Sequence, residues 1–279
     1  MRSWGTSIPA LVFISLIVAS FALLPKQASA HVDYGATTLF RSYSPGLSFN
    51  PSVGYSQKIW GDAATPWYGF VRPYVIGVVS PSVYETKAGI EVFPISLLGF
   101  DVRRAYGRRF NDTKNQNCDV LECQGALPYT DVSVQSFLGY GDYFASARFT
   151  RTFFDGDSTR SHSVYELGSA VLLDPKGDRG DYLSIAVGQN LGGFLRGLSW
   201  GILIQNNEFF EFGQYMRAMY GFATLDLKDG QSASSQALGA ASNKVTVGLG
   251  AFRSSRNVTE ASIVVAYTYS PRSALGFGR

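Results

Sequence analysis

The feature that most constrains this chain is an alternation of apolar with small or polar residues at a period of two, repeated along most of its length. Between Val83 and Val92, the residues Tyr84, Thr86, Ala88, Ile90 and Val92 share one phase, and Glu85, Lys87, Gly89 and Glu91 share the other. Leu98, Phe100 and Val102 oppose Gly99, Asp101, Arg103 and Ala105. Val132, Val134, Ser136 and Leu138 oppose Asp131, Ser133 and Gln135, while Tyr143, Ala145, Ala147 and Phe149 oppose Ser146, Arg148 and Thr150. Tyr165, Leu167, Val171 and Leu173 stand against Glu166, Gly168 and Ala170. The pattern continues through Leu183–Gly188, Leu198–Gln205, Val245–Ala251 and Ala261–Tyr269. Successive side chains of an extended strand point to opposite faces, so this period predicts strands. Segments of about ten residues match the length of a tilted strand that crosses a bilayer.

Composition narrows the class further. Only 16% of residues are charged and 14% are aromatic, where soluble domains average roughly 25% charged. After the first thirty residues, no apolar stretch is long enough for a spanning helix. Few charges, many Tyr and Phe and no spanning helix favour a lipid-facing barrel over a soluble sandwich, whose solvent face would carry more Lys and Glu.

Residues 1–30 read as a cleavable export signal. Arg2 precedes the apolar run Ile8–Leu24, Pro25-Lys26-Gln27 breaks it, and Ala28-Ser29-Ala30 supplies the small-residue cleavage pattern. Residues 31–279 then form one domain with 22 basic and 21 acidic residues. A net charge so close to zero argues against nucleic-acid partners. Cys118 and Cys123 lie close together, and in an exported chain this spacing predicts a small disulfide loop. There is no His nearby to complete a metal site, and no phosphate-binding glycine loop, so neither metal nor cofactor is expected.

Turn signals fall at Ser44-Pro45-Gly46, Ser80-Pro81-Ser82, Phe93-Pro94, Gly139-Tyr140-Gly141 and Asn190–Gly193. Longer polar connections cover Asn111–Ala126, Asp155–Arg160 and Lys228–Asn243, and are expected on one side of the barrel. Phase is weakest over Tyr34–Trp60 and Trp67–Val79, where Pro73 interrupts. The sum is an all-β, closed antiparallel transmembrane barrel of about twelve strands, within a range of 10–14. The leader, the alternating strands, the aromatic strand ends and the aromatic-rich segment Ala261–Tyr269 resemble bacterial outer-membrane β-barrel proteins as a class. That resemblance implies a location in the outer membrane in contact with its lipid. Such barrels often close on a terminal aromatic residue, whereas this chain runs on from Ser270 to Arg279, so β pairing extends further or a short tail follows.

Three functions fit such a barrel. The inward phase collects Glu85, Lys87, Glu91, Asp101, Arg103, Asp131, Arg148 and Glu166, which as a mixed-charge lining suits a narrow, porin-like pore for small solutes or ions, or a structural barrel locked by ion pairs. Outer loops could instead bind a partner in an adhesin-like role. A lipid hydrolase would need a base such as His162, but Glu166, four residues along in the same phase, lies about 13 Å from it on an extended strand. Ser161 and Ser163 point to the other face, so no catalytic group is assigned and no enzyme activity is expected.

Overall fold

A computed structural model of the chain describes residues 30–42, 46–61, 67–109, 124–157, 162–166, 171–192, 197–227, 242–255 and 259–272. Twelve antiparallel strands close into a barrel. In chain order they are β1 (Ala30–Arg41), β2 (Gly46–Gly61), β3 (Tyr68–Val79), β4 (Val83–Ile95), β5 (Leu98–Arg109), β6 (Gly125–Tyr140) and β7 (Tyr143–Phe154), followed by β10 (Asp178–Asn190), β11 (Leu198–Phe209), β12 (Gln214–Asp226), β13 (Ser242–Ser254) and β14 (Thr259–Arg272). Each pairs with its neighbours in sequence, and β1 pairs with β14 to complete the ring. Two further short strands, β8 (Val164–Glu166) and β9 (Val171–Leu173), form a separate two-stranded sheet between β7 and β10.

The predicted phases hold along the wall. Tyr84, Ile90, Phe100, Val102, Val132, Leu138, Ile185, Ile202, Leu249 and Ile263 are all exposed outward. Their neighbours Asp101, Asp131, Ser133 and Ser262 are buried inward. An outward face of this kind is unfavourable in water and matches the lipid contact of a spanning barrel. Closure also leaves no strand edge unpaired.

Both β1's start and β14's finish lie at one end, called proximal here; the opposite end is distal. Parity of the strands therefore places the connections after β5 and β7 at the distal end, but the one between β12 and β13 at the proximal end. This corrects the expectation that the three long connections share a side.

Other corrections have local causes. Phe93-Pro94 is not a turn: β4 continues to Ile95, with a register shift between Val92 and Ile95. Proline has no N–H for the ladder, so the chain bulges past it and turns at Ser96-Leu97 instead. The weakly phased region forms β1–β3, with register shifts between Tyr34 and Ala36 and between Lys58 and Trp60, and Pro73 lies within β3 opposite Ile90. Tyr165–Leu173 is not a wall strand but the β8–β9 pair, so Glu166 lies outside the barrel wall. The final strand reaches Arg272, beyond the predicted Tyr269. Residues 1–29, Cys118 and Cys123 lie outside the described residues.

Glycines set how side chains cross the interior. Gly188 of β10 pairs with Gly201 of β11, flanked in the same row by Phe144 of β7 and Phe222 of β12. The two rings approach to 6.4 Å across the glycine pair. A Cβ at Gly188 would stand 2.5 Å from the Phe144 ring, and one at Gly201 would stand 2.8 Å from that of Phe222. Bare backbone at these two positions is what lets the rings lie along the wall.

Candidate functional site: the charged half of the lumen

Inward-facing charge is concentrated on β1 and β3–β7. Asp33 of β1 and Arg72 of β3 lie on either side of β2, and the guanidinium bridges that strand: Arg72 Nη2 donates to Asp33 Oδ1 at 2.5 Å. Arg72 Nη1 donates to Glu91 Oε2 of β4 at 2.8 Å, so one cation joins two carboxylates. Ser56 Oγ completes the Asp33 shell at 3.0 Å. The bridge is open because β2 presents Gly54 there: a Cβ on that residue would fall 2.7 Å from Arg72 Nε.

A second set follows on β3–β7. Asp101 accepts from Tyr74 Oη at 2.7 Å and from Arg148 Nη2 at 2.8 Å. Arg103 Nε donates to Asp131 Oδ2 at 2.6 Å, and Asp131 also accepts from Thr152 Oγ1 at 2.5 Å. Ser133 and Thr150 join their hydroxyls at 2.8 Å beside them. Nearer the distal mouth, Lys87 Nζ lies 2.9 Å from Glu85 Oε2 and 5.5 Å from the centre of the Tyr129 ring. The side chains of Asp101, Asp131, Asp33 and Arg72 are 0–6% exposed. Pairing at this depth is what makes the charges tolerable, because an isolated buried charge would cost several kcal/mol.

The other half of the lumen differs in kind. Middle positions of β10–β14 present Ser184, Ala186, Gly188, Leu203, Ala218, Tyr220, Gly248, Ser262 and Val264. Met216, Ala218, Tyr220 and Phe252 cluster there against Leu203 and Val264. Tyr220 Oη and Ser262 Oγ are 3.3 Å apart. At these middle positions a charged wall thus faces an uncharged one.

At the distal end a cavity of about 580 Å³ enters the barrel. Ser80 and Ser82 stand at its mouth, and Arg103, Asp131, Arg148 and Ser184 lie deepest along their strands. Beside it, Val164 and Leu173 of β8 and β9 pack on the inward residues Leu127, Phe154 and Phe209. The Leu172 N–H donates to Gln214 Oε1 of β12 at 2.9 Å, tying this hairpin over part of the mouth.

Of the residues marked from sequence, Glu85, Lys87, Glu91, Asp101, Arg103, Asp131 and Arg148 all face the lumen, in three groups: Glu91 with Arg72, Glu85 with Lys87, and Asp101, Arg103, Asp131 and Arg148 together. Glu166 belongs to β8, outside the wall strands. His162 is exposed on the β7–β10 connection, outside the wall strands. Sequence reasoning missed Asp33, Arg72 and Tyr74. On β3 the inward row Tyr68, Phe70, Arg72 and Tyr74 is as apolar as the outward Val71, Pro73 and Val75, so no contrast marks the phase. On β1 the signal was present, since Asp33 sits between the outward Val32 and Tyr34.

No protein-family model matches this chain, and no curated protein matches it. Among solved structures it is similar to the beta domain of the Bordetella autotransporter Brka, at 9% identity over 87% of this chain and 98% of that one, with a TM-score of 0.40. It is also similar to the translocator domain of the autotransporter NalP from Neisseria meningitidis, at 10% identity over 94% and 95% respectively, with a TM-score of 0.37. No metal-binding cluster of three or more His, Cys, Asp or Glu occurs among the described residues.

Proposed function

We propose that this chain is a bacterial outer-membrane β-barrel acting as a narrow, low-conductance pore, exported with the help of residues 1–30. The membrane reading is supported by a closed ring of strands with an apolar outward face. One observation carries the pore reading: a cavity of about 580 Å³ enters the lumen from the distal end, between the ion-paired side chains of β4–β7 and the polar Ser184, Gln205 and Asn207 of β10 and β11. Ion pairs hold β1 and β3–β7 together and fill their side. The path for small solutes or ions starts in the distal cavity and runs between Arg103, Asp131 and Arg148 on one side and Ser184, Gln205 and Asn207 on the other. No catalytic step and no cofactor enters this proposal.

Single-channel recording of the refolded chain in a planar bilayer tests it. Small, stable steps are expected, and Arg148→Gln should enlarge them by removing a cation and some bulk from the cavity lining. Silence from protein with heat-modifiable migration and β-rich circular dichroism would overturn the pore and leave a structural or loop-binding barrel. A soluble monomer that never inserts would overturn the membrane reading itself.

A further inference from the structure

Inside the distal cavity, three neighbouring side chains hold polar atoms that the fold leaves unused. The ladders set Arg148 of β7 beside Ser184 of β10, and Ser184 beside Gln205 of β11. All three line the cavity and are half-buried. Arg148 engages one nitrogen in the fold: Nη2 donates to Asp101 Oδ2 at 2.8 Å and lies 3.4 Å from Ser133 Oγ. Its Nε and Nη1, the Ser184 hydroxyl and the Gln205 amide make no hydrogen bond to another described side chain. One step toward the mouth, the next row is Thr150, Tyr182 and Asn207, which also line the cavity. An edge-on contact with Phe209, at 5.5 Å and 83°, holds the Tyr182 ring in place.

Charge decides what this row can take. Lys87 is compensated by Glu85, Arg103 by Asp131 and Arg148 by Asp101, at 2.9, 2.6 and 2.8 Å. Arg41 and Arg109, the other cations of the lining, stand at the distal ends of β1 and β5. An ionic ligand seated against the row would give up its hydration without meeting an uncompensated counter-charge. A neutral ligand loses less on entry and needs only partners for its own donors and acceptors. Both kinds are present: the guanidinium donates, the hydroxyl does either, and the amide accepts through oxygen and donates through nitrogen. Neighbouring strands stand about 4.8 Å apart, so the row extends about 10 Å across the wall. Hydroxyls at successive positions of a sugar ring match this alternation, and the apolar face of the ring suits an aromatic side chain beside it. At about 580 Å³ the cavity has the size of a site for a small organic molecule.

We propose that the distal cavity is a binding site for a small neutral saccharide, with Arg148, Ser184 and Gln205 as its hydrogen-bonding row and Tyr182 as its ring contact. The proposal rests on the barrel reading above and deepens it by naming the class of solute. Arg148 serves here through its N–H groups and not through its charge, which Asp101 already balances. Binding at this site does not require that the sugar pass through the barrel.

The test uses the full chain refolded in a detergent without a sugar headgroup, titrated calorimetrically with maltose, cellobiose, lactose and sucrose. Cellobiouronate, in which a carboxylate replaces one hydroxymethyl group of cellobiose, is the anionic comparison. At least one neutral disaccharide should bind with a Kd of about 1 mM or tighter. For that sugar, Gln205→Leu keeps the bulk of the side chain and removes its amide. It should weaken binding about ten-fold, because hydroxyls of the bound sugar lose their partners. Ser184→Ala should weaken it several-fold, and stands in for Gln205→Leu if that variant does not reach the heat-modifiable form. Cellobiouronate should bind no more tightly than cellobiose. Absence of binding by all four sugars overturns the proposal, as does unchanged affinity in the variants. An anion held about ten-fold tighter than its neutral parent overturns the commitment to a neutral ligand. Parent protein that never migrates as a heat-modifiable band overturns the barrel reading and this site with it. Protein that binds sugar but stays silent in a bilayer defeats the pore alone and supports the site.

Discussion

Arg72 reaches Asp33 across β2 only because Gly54 leaves the space between them empty. Two predictions follow at the residue scale. Arg72→Ala removes the cation shared by the buried Asp33 and the half-buried Glu91, and should cost about 3–5 kcal/mol of stability in urea unfolding from bilayers. Gly54→Val leaves every charge in place but pushes a side chain into the guanidinium, and should cost about 1–3 kcal/mol through overpacking. If Gly54→Val matches the parent, the bridge across β2 is not held as described. The lumen charges of β4–β7 could be read from sequence because they alternate with an outward phase that is mostly apolar. Arg72 could not, because the aromatic inward row of β3 around it is as apolar as the outward Val71, Pro73 and Val75. Nor does sequence reveal that Asp101 serves Tyr74 and Arg148 together, since those partners lie 27 and 47 residues away.

At the scale of elements, strand existence was legible and strand use was not. Alternation over Tyr165–Leu173 has the same appearance whether a segment joins the wall or folds over its mouth. The deciding quantity is length: β8 and β9 have three residues each, far short of the roughly nine to eleven that span a bilayer. What holds this hairpin is burial of Val164 and Leu173 against Leu127, Phe154 and Phe209. Replacing both with Asp (Val164→Asp with Leu173→Asp) should therefore release it. The expected signature is faster proteolysis within residues 155–177 and a larger conductance step, while heat-modifiable migration of the barrel stays as in the parent. Unchanged proteolysis would show that Gln214 or other contacts suffice to hold it. Pro94 carries a related lesson: in a sheet, proline marks either a turn or a bulge, and only the neighbouring register decides which.

For the whole molecule, the even number of strands and the β1–β14 seam follow from one another, since only an even meander brings its two terminal strands into antiparallel register. Removing residues 259–279 deletes β14 and should leave a chain that neither migrates as a heat-modifiable band nor resists protease in vesicles. Survival of the compact form would mean that β13 can close on β1. The seam also has a consequence in time. Thr37 meets Thr268 across 231 residues of chain, so the contact that seals the ring is among the most distant in sequence. Hairpins such as β6–β7 can assemble locally and early, but β1 must keep one edge without a partner until β14 arrives. Loop-closure entropy makes such distant pairings slow, and an open edge is the surface on which strands from other chains can add. The slowest and most hazardous interval in forming this barrel is thus the wait of its first strand for its last, the interval in which a chaperone or an assembly partner would have the most to protect.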